Sequence, residues 1–265
     1  MKRGAVGLAS LAAPREPEPA LRILMYHRVN DTHPGDRLTV HPRAFEAQMA
    51  ILAACGRPVV ALEDALPALR GTAPLRERAV AITFDDGFRD NLQFAAPVLE
   101  KYRLPATFFV VTDHVGTDRC IDRYDGCCDE DRVLTWDEVK EMAARGHAIG
   151  GHSRTHRELG RLSEAEVAEE VAGCRREIEV RTGRAPRFFC YPRGSEGPGV
   201  RRQVARAGFD GACTVSPGTN AAGIDPFGLR RTEIAGGDTV EDFGRKLEGR
   251  FDGWHRLVQR VAQHS

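Results

Sequence analysis

The sequence predicts a single α/β domain in which parallel strands and helices alternate to form a barrel. Short apolar segments typical of strands alternate with helical segments about eight times between residues 21 and 237. The 265 residues suffice for one domain with a substantial core, and neither a repeat nor a break in composition divides them. Polar residues follow several predicted strands, at the end where β/α barrels carry their active sites.

The first half of the domain contains four predicted strands. Apolar runs predict the strands, and apolar residues at three- and four-residue spacing predict the helices. The elements in chain order are a strand (Arg22–Tyr26), a helix (His41–Cys55), a short strand (Pro58–Ala61), a helix interrupted at Pro67, a buried strand (Ala79–Phe84), a helix (Asn91–Tyr102) and a strand (Ala106–Val111). In the helix that ends at Tyr102 we expect Phe94, Val98 and Leu99 to point inward.

The second half begins with a long polar loop, residues 112–132, in which a disulfide and a second metal site are both alternatives for Cys120, Cys127 and Cys128. Capping boxes predict where the next two helices begin, at Thr135 and at Ser163. The remaining predicted strands are a short one within Gly146–Gly151, then Arg187–Tyr191, Gly211–Val215 and Leu229–Ile234.

Both ends of the chain are expected to lie outside the barrel. Residues 1–20 predict a flexible leader, because a short, weakly apolar segment like a poor signal peptide precedes a Pro/Glu-rich linker. Residues 238–265 predict an amphipathic helical segment that packs on the barrel through an apolar side, from Phe243 to Val261. Its other side is basic and includes Arg245 and Lys246, so peripheral membrane contact is the alternative.

The charge and cysteine content limit the expected partners and compartment. Lys plus Arg and Asp plus Glu each total 38, so net charge gives no reason to expect nucleic acid. Four cysteines lie in apolar segments where buried, free thiols are expected: Cys55, Cys174, Cys190 and Cys213. We therefore favour a reducing compartment and a cytoplasmic or membrane-peripheral protein, with export through the weak N-terminal signal as the alternative.

Two adjacent carboxylates follow the buried strand Ala79–Phe84. Asp85 and Asp86 stand at its carboxyl end, and Gly87 lets the chain turn away. Adjacent acids repel each other unless a cation or a hydrogen-bond donor shares them. The pair therefore indicates a site, although a polar loop would explain an isolated Asp-Asp-Gly equally well.

Two histidines supply the context that favours a metal. In His152-Ser-Arg-Thr-His156 the imidazoles are four residues apart, and on one helical turn both would project from the same face. With one carboxylate they make an open site that leaves positions for water and substrate. Either histidine alone would be an ordinary surface residue. We predict that Asp86, His152 and His156 bind one divalent ion, with Zn2+ favoured and Co2+, Mn2+ or Ni2+ as alternatives.

These segments resemble motifs of the polysaccharide deacetylase family, the NodB-homology domain of carbohydrate esterase family 4. Thr83-Phe-Asp-Asp-Gly87 is similar to the first motif, His152-Ser-Arg-Thr-His156 to the second and Phe189-Cys-Tyr-Pro-Arg-Gly194 to the third. The resemblance covers almost all of the chain after residue 20. It implies a distorted (β/α)7 barrel and metal-dependent removal of acetyl groups from N-acetylated sugars.

The chain departs from the family pattern at several positions. Cys190 stands where many members have an arginine, and the fourth motif and the late Leu-x-His motif are missing. Arg231 resembles an arginine that supports the catalytic acid in some members. Leu24-Met-Tyr-His27 is similar to the early Tyr-His element of members that deacetylate poly-N-acetylglucosamine, whose motifs are circularly permuted. These departures concern the substrate subclass more than the chemistry.

The candidate residues together predict a hydrolytic mechanism. A metal polarises the amide carbonyl and acidifies a bound water, while Asp85, beside that cation and Arg231, stays ionised as the base. The resemblance places Arg193, after Tyr191, at the barrel mouth, where its N–H would stabilise the oxyanion. His27 is the candidate acid that protonates the leaving amine, and a nearby carboxylate is expected to raise its pKa.

Three other hypotheses are alternatives to an N-acetylated glycan deacetylase. A non-haem Fe(II) oxygenase also uses two histidines and a carboxylate, but it needs neither a second acid nor a supporting arginine. An inert sugar-binding module would have no need for Asp85 as a base. A hydrolase of small cyclic or linear amides on the same fold is the nearest enzymatic rival.

Overall fold

The computed structural model describes residues 19–121 and 131–252, which contain ten strands and seven α-helices. The strands are β1 (Ala20–Tyr26), β2 (Arg28–Val29), β3 (Thr39–Val40), β4 (Ala79–Phe84), β5 (Ala106–Val110), β6 (Ala148–Gly151), β7 (Phe188–Cys190), β8 (Gly211–Cys213), β9 (Asn220–Ala221) and β10 (Thr232–Glu233). The helices are α1 (Pro42–Ala54), α2 (Leu62–Leu69), α3 (Ala96–Tyr102), α4 (Trp136–Ala144), α5 (Glu164–Thr182), α6 (Pro198–Arg206) and α7 (Val240–Leu247).

Seven of the strands run parallel and curl into a barrel. Hydrogen bonds join them in the order β10-β1-β4-β5-β6-β7-β8, while β9 pairs with β1, and β2 with β3. The chain before β10 also meets the far side of the sheet, because Leu229 bridges Cys213 of β8 and the Arg231 N–H donates to the Ser216 carbonyl at 2.9 Å. The predicted distorted (β/α)7 barrel is therefore confirmed.

The barrel strands bury side chains on both faces, as parallel strands usually do. In β4, Val80 and Phe84 join one hydrophobic cluster with α1 and α3, whereas Ala81 joins another with α2. Because successive side chains of a strand point to opposite faces, Thr83 lies on the same face as Ala81. The next residue of that series is Asp85. The alternation along the strand therefore directs Asp85, the first of the two adjacent acids, to the face that carries Ala81 and Thr83.

The helix predicted for Asn91–Tyr102 begins with one π-helical turn, Asn91–Ala95, before α3 starts. A π-helical turn contains more residues than an α-helical turn, so it rotates the apolar face of the helix that follows. Leu99 is buried as predicted, but Phe94 is 40% exposed, and its predicted inward orientation is wrong.

The segment Pro58–Ala61 contributes a single β-bridge, from Val59 to Val80, in place of the predicted strand. The barrel consequently has seven strands and not about eight. Cys55 ends α1 at an exposed position, so its predicted burial is also wrong.

The other described cysteines agree with the sequence predictions, while Cys127 and Cys128 lie outside the described residues. Cys174, Cys190 and Cys213 are buried and free. Cys120 is disulfide-bonded, which was one of the two alternatives for its loop.

The C-terminal helix α7 packs on the outside of the barrel. Phe243 and Leu247 are buried in the cluster that contains α1. Lys246, predicted for the basic face, is buried as well, because its Nζ donates to the Glu233 carbonyl and the Asp238 carboxylate. Residues 253–265 and residues 1–18 of the predicted leader lie outside the described residues. No described helix combines the length and the apolar character needed to cross a bilayer.

Candidate metal and catalytic site

The predicted metal ligands and the predicted catalytic residues Asp85, His27 and Arg231 meet where the barrel strands end. His27 follows β1, the adjacent acids follow β4, and His152 follows β6. Arg231 directly precedes β10 and reaches the same place through its long side chain. Asp85, Asp86, His152 and Arg231 are nearly inaccessible to solvent, so their charges interact in a poorly screened environment.

Asp86, His152 and His156 bring three donor atoms together. Asp86 Oδ1 lies 3.3 Å from Nε2 of His152 and 3.3 Å from Nε2 of His156. Two atoms that bind Zn2+ at about 2.0–2.1 Å with a tetrahedral angle are roughly 3.3 Å apart. One carboxylate oxygen and two imidazole nitrogens at this separation fit a divalent ion, both in chemistry and in spacing.

The two histidines lie on an irregular loop, so the prediction that they share a helical turn is wrong. Ser153 and His156 have φ angles of 63° and 62°, in the left-handed region that residues with a side chain rarely adopt. The His156 N–H donates to Ser153 Oγ at 2.9 Å, which closes the loop on itself. The loop conformation, not a helical repeat, therefore brings the two imidazoles to Asp86.

A hydrogen bond fixes which nitrogen of His152 faces Asp86. Nδ1 of His152 lies 2.8 Å from the carbonyl oxygen of Cys190, and a carbonyl can only accept. Nδ1 must therefore carry the proton. Nε2, the nitrogen beside Asp86, is then free to bind a metal in the neutral imidazole.

The charges of this group favour a cation beside Asp86. Burial raises the pKa of Asp86, but hydrogen bonds from His152 and His156 outweigh burial and hold the pKa well below its usual range. Burial lowers the pKa of His152, but Cys190 and Asp86 outweigh burial and raise it well above its usual value. A carboxylate that remains ionised between two imidazoles attracts a proton or a metal ion.

Arg231 holds Asp85 through two parallel hydrogen bonds. Nη1 donates to Oδ1 and Nη2 to Oδ2, both at 2.7 Å. The guanidinium also donates to the Thr214 carbonyl at 2.8 Å and to the Thr83 hydroxyl at 3.3 Å, so it is fixed within the barrel. Burial raises the pKa of Asp85, but the charge and hydrogen bonds of Arg231 outweigh burial and lower it. Asp85 is consequently ionised at neutral pH.

Cys190 belongs to this cluster, although the sequence predicted only a buried thiol. Its Sγ lies 3.1 Å from Nη2 of Arg231 and 3.5 Å from Oδ2 of Asp85. Asp85, His152 and Cys190 form a second compact group of donor atoms, but a cation there would face the guanidinium. The signal for this arrangement was present in the sequence. A cysteine stands where the third motif usually has an arginine, and Arg231, just before β10, brings a guanidinium to Asp85.

His27 lies beside Asp85, but its pKa is not raised as predicted. Nε2 of His27 is 3.9 Å from Asp85 Oδ2, and Nδ1 is buried without a hydrogen-bond partner among the described residues. Burial lowers the pKa of His27 and outweighs the carboxylates of Asp85 and Asp86, which raise it. The His27 carbonyl accepts a hydrogen bond from Asn91 Nδ2 at 2.9 Å, which fixes this strand end.

The side chains of Tyr191 and Arg193 stand apart from the cluster. Tyr191 is fully buried against Phe189, and its hydroxyl donates to the Phe227 carbonyl at 2.9 Å. The Arg193 side chain is exposed and lies 3.8 Å from Glu158. The Arg193 backbone has a φ of 53° within a short turn, Pro192–Gly194.

Comparison with protein families and curated proteins agrees with the motifs. A family model described as "Polysaccharide deacetylase" matches residues 72–212. The Bacillus subtilis (strain 168) protein YxkH is 29% identical over 228 residues, which are 86% of this chain and 76% of YxkH. Poly-beta-1,6-N-acetyl-D-glucosamine N-deacetylase of Escherichia coli (strain K12) is 25% identical in an alignment of 263 positions, gaps included, which covers 84% of this chain and 38% of that enzyme.

Solved structures match the barrel almost completely. IcaB from Ammonifex degensii superposes with a TM-score of 0.73 at 25% identity, over 89% of this chain and 97% of IcaB. The Streptococcus pyogenes deacetylase PplD, in complex with acetate, superposes with a TM-score of 0.75 over 86% of this chain and 98% of PplD. The identity to PplD is 23%, so that likeness concerns the fold.

Proposed function

Because the chain belongs to the polysaccharide deacetylase family, carbohydrate esterase family 4, we propose that its barrel mouth removes N-acetyl groups from a glycan. The protein is a hydrolase of carbon–nitrogen bonds other than peptide bonds, and its family is metal-dependent. One observation carries the proposal. The Asp86, His152 and His156 donor atoms converge beside a second carboxylate, Asp85, that Arg231 keeps ionised.

We assign the metal to Asp86, His152 and His156 and propose Zn2+, with Co2+, Mn2+ or Ni2+ as substitutes. The 3.3 Å separations and the mixed carboxylate and imidazole donors support this choice. When bound, the ion would polarise the amide carbonyl and lower the pKa of a bound water. Three protein ligands would leave coordination positions for that water and for the substrate.

Asp85 is the proposed base that accepts the proton of the attacking water. Both of its oxygens are oriented by Arg231, and the ionised form needed for proton abstraction is favoured by the same contact. As the water oxygen bonds to the acetyl carbon, negative charge develops on the former carbonyl oxygen. The N–H of Arg193 is the proposed protein donor to that oxyanion. Tyr191 would contribute through the backbone, since its carbonyl accepts the Gly194 N–H at 2.9 Å and shapes the turn.

His27 is the proposed acid that protonates the leaving nitrogen as the carbon–nitrogen bond breaks. Because burial lowers the pKa of His27, its imidazole is unprotonated at neutral pH before the reaction begins. The proton that Asp85 takes from water can pass to His27, 3.9 Å away, since an imidazole is a stronger base than a carboxylate. The amine then leaves with that proton, and acetate remains.

An N-acetylated glycan is the substrate class, and β-linked N-acetylglucosamine polymers are the proposed members of it. The early Leu24-Met-Tyr-His27 element and the similarity to the Escherichia coli enzyme support this choice. The chain spans 38% of that enzyme, so the full activity of the larger protein does not follow. We propose that residues 21–237 form the catalytic unit and that residues 238–265 pack on it, with α7 as the described part of that contact.

Acetate release tests the proposed function. N-acetylated oligosaccharides and lipid-linked sugars are incubated with the protein, with and without a chelator. We expect acetate release that the chelator abolishes and Zn2+ restores. Glycan binding without acetate release would indicate a sugar-binding module. Faster hydrolysis of small amides than of glycans would indicate the hydrolase of small cyclic or linear amides. Oxygen uptake after anaerobic loading with Fe(II) would indicate an oxygenase.

A further inference from the structure

Glu170 is a buried carboxylate on the core-facing side of α5. That side of the helix is otherwise apolar and carries Val167, Val171, Cys174 and Ile178. Glu170 is only 6% exposed. An ionised carboxylate in such a position is costly unless hydrogen-bond donors replace the water that it loses. The donors of Glu170 therefore indicate why this acid lies there.

The hydrogen bonds of Glu170 all reach into the loop between His152 and His156. Oε2 accepts from the N–H groups of Arg154 and Thr155, each at 2.9 Å. Oε1 accepts from the Thr155 hydroxyl at 2.5 Å. One side chain on α5 thus binds the two central residues of the loop that carries both candidate histidine ligands.

This loop needs external support because its own conformation is unfavourable. Ser153 and His156 both adopt left-handed backbone angles, which cost about 1 kcal/mol or more per residue. The loop following β5 holds the other side, since the N–H of Thr112 donates to the Ser153 carbonyl at 3.2 Å and that of Asp113 to the Arg154 carbonyl at 2.9 Å. Glu170 completes the support from the helix layer.

We propose that Glu170 is a positioning residue that sets metal affinity by holding the 152–156 loop with both imidazoles directed at Asp86. This rests on the metal site of the proposed function. Two of its bonds come from backbone N–H groups, so the role requires acceptor oxygens, not a negative charge. A glutamine can place its amide oxygen on the two N–H groups and donate from its amide nitrogen to the Thr155 hydroxyl oxygen. An alanine can do neither.

Cobalt titration of the metal-free protein measures this role without relying on turnover. The variants are Glu170→Ala, Glu170→Gln and Thr155→Val. The matched control is Glu177→Ala, which removes a partly exposed carboxylate of the same helix that pairs with Arg181 and not with the loop. Loss of an outer-shell partner typically weakens metal binding by about 10- to 100-fold. We expect that loss for Glu170→Ala, a change within about threefold for Glu170→Gln, an intermediate loss for Thr155→Val and none for Glu177→Ala.

Circular dichroism and melting of the metal-free variants separate positioning from folding. A folded Glu170→Ala variant that binds Co2+ like the wild type would overturn the inference. If Glu170→Ala does not fold, the other two variants decide. Weaker Co2+ binding by a folded Thr155→Val variant supports the positioning role. Wild-type Co2+ affinity in that variant would show that Glu170 contributes to the packing of α5 and not to the metal site. Failure of the wild type to bind Co2+ would instead reject the metal assignment itself.

Discussion

The Arg231 guanidinium meets the Asp85 carboxylate in a bidentate pair, with both N–O distances at 2.7 Å. This contact gives the two adjacent acids different partners. Asp85 is paired with a cation that belongs to the chain, while Asp86 faces two histidines. The repulsion expected between neighbouring carboxylates is thereby relieved in two independent ways. The same difference underlies the proposed division of labour between base and metal ligand.

Replacement of Arg231 by alanine should shift the acid limb of the pH–rate profile to higher pH. Arg231 is the main group that lowers the pKa of Asp85 against the effect of burial. In the variant only the weaker effects of His152 and His27 would oppose burial, so the pKa would rise. The base would then be protonated, and inactive, over a wider acidic range. The loss of rate at neutral pH should be smaller than that of Asp85→Asn. Acetate release measured across pH checks this, with the exposed neighbour in Arg230→Ala as control. An unmoved acid limb would contradict the role of Arg231.

Asp90 should make the fold less stable as pH rises. Burial raises the pKa of Asp90 to about 7, although Asn30 and the Val29 N–H donate hydrogen bonds to it. A folded pKa above the ordinary 3.8 means that its stabilising contribution is complete below about pH 4 and is lost as pH rises through about 7. The difference corresponds to roughly 4 kcal/mol.

Urea unfolding at pH 4 and pH 8 measures this effect of Asp90. Relative to Asp90→Asn, the wild type should lose up to that amount of unfolding free energy between the two pH values. Comparing the change with pH, and not the absolute stability, removes the hydrogen-bond cost of the substitution. Parallel pH dependence in both proteins would show that Asp90 does not titrate differently in the fold.

Replacement of His27 by alanine should retain the metal and lose amide hydrolysis by ~10²-fold or more. Amide cleavage needs a proton on the leaving nitrogen, and the His27 imidazole lies 3.9 Å from the Asp85 carboxylate. Aryl acetates, whose leaving groups need no proton, should be affected much less. Metal content and both hydrolysis rates are measured, with His41→Ala at the start of α1 as control. Equal losses on amide and aryl ester would make His27 a structural residue.

Truncation after Gly237 should destabilise the barrel, because it removes the buried side chains of α7. Single substitutions in that helix give a sharper test. Phe243→Ala should cost about 3–5 kcal/mol, as is usual for a buried aromatic ring, whereas Val240→Ala at an exposed position should change stability by about 0.5 kcal/mol or less. Melting and urea unfolding measure both. A truncated chain with an intact melting temperature that no longer binds anionic vesicles would favour the membrane hypothesis instead.

The sequence predicted the positions of the site residues better than the backbone conformations that orient them. Strand ends could be located from apolar runs, and this placed Asp85, Asp86 and His152 together before any distance was known. The spacing of His152 and His156 was interpreted as helical, because sequence periodicity cannot show two residues with left-handed backbone angles. The π-helical turn that exposes Phe94 leaves no periodic signal either.

The pKa direction predicted for His27 is wrong because burial affects this group more than the neighbouring charges do. A carboxylate near His27 was expected to raise its pKa, but the depth of the site could not be known from the sequence, and burial lowers it. The sequence gives no signal for the contacts of Glu170, for a related reason. A glutamate within an amphipathic helix is ordinarily exposed, and only the structure shows that it faces the histidine loop.

Metal content and turnover of Asp85→Asn and Asp86→Asn, measured side by side, test the central claim most directly. Asp85→Asn should retain one divalent ion per chain and lose turnover by ~10²–10⁴-fold, the range expected for a general base. Asp86→Asn should lose both the ion and the activity, as should the double variant His152→Ala/His156→Ala, because three protein ligands leave little redundancy. Loss of metal from Asp85→Asn but not from Asp86→Asn would reverse the two roles, and full metal occupancy in the double variant would contradict the site.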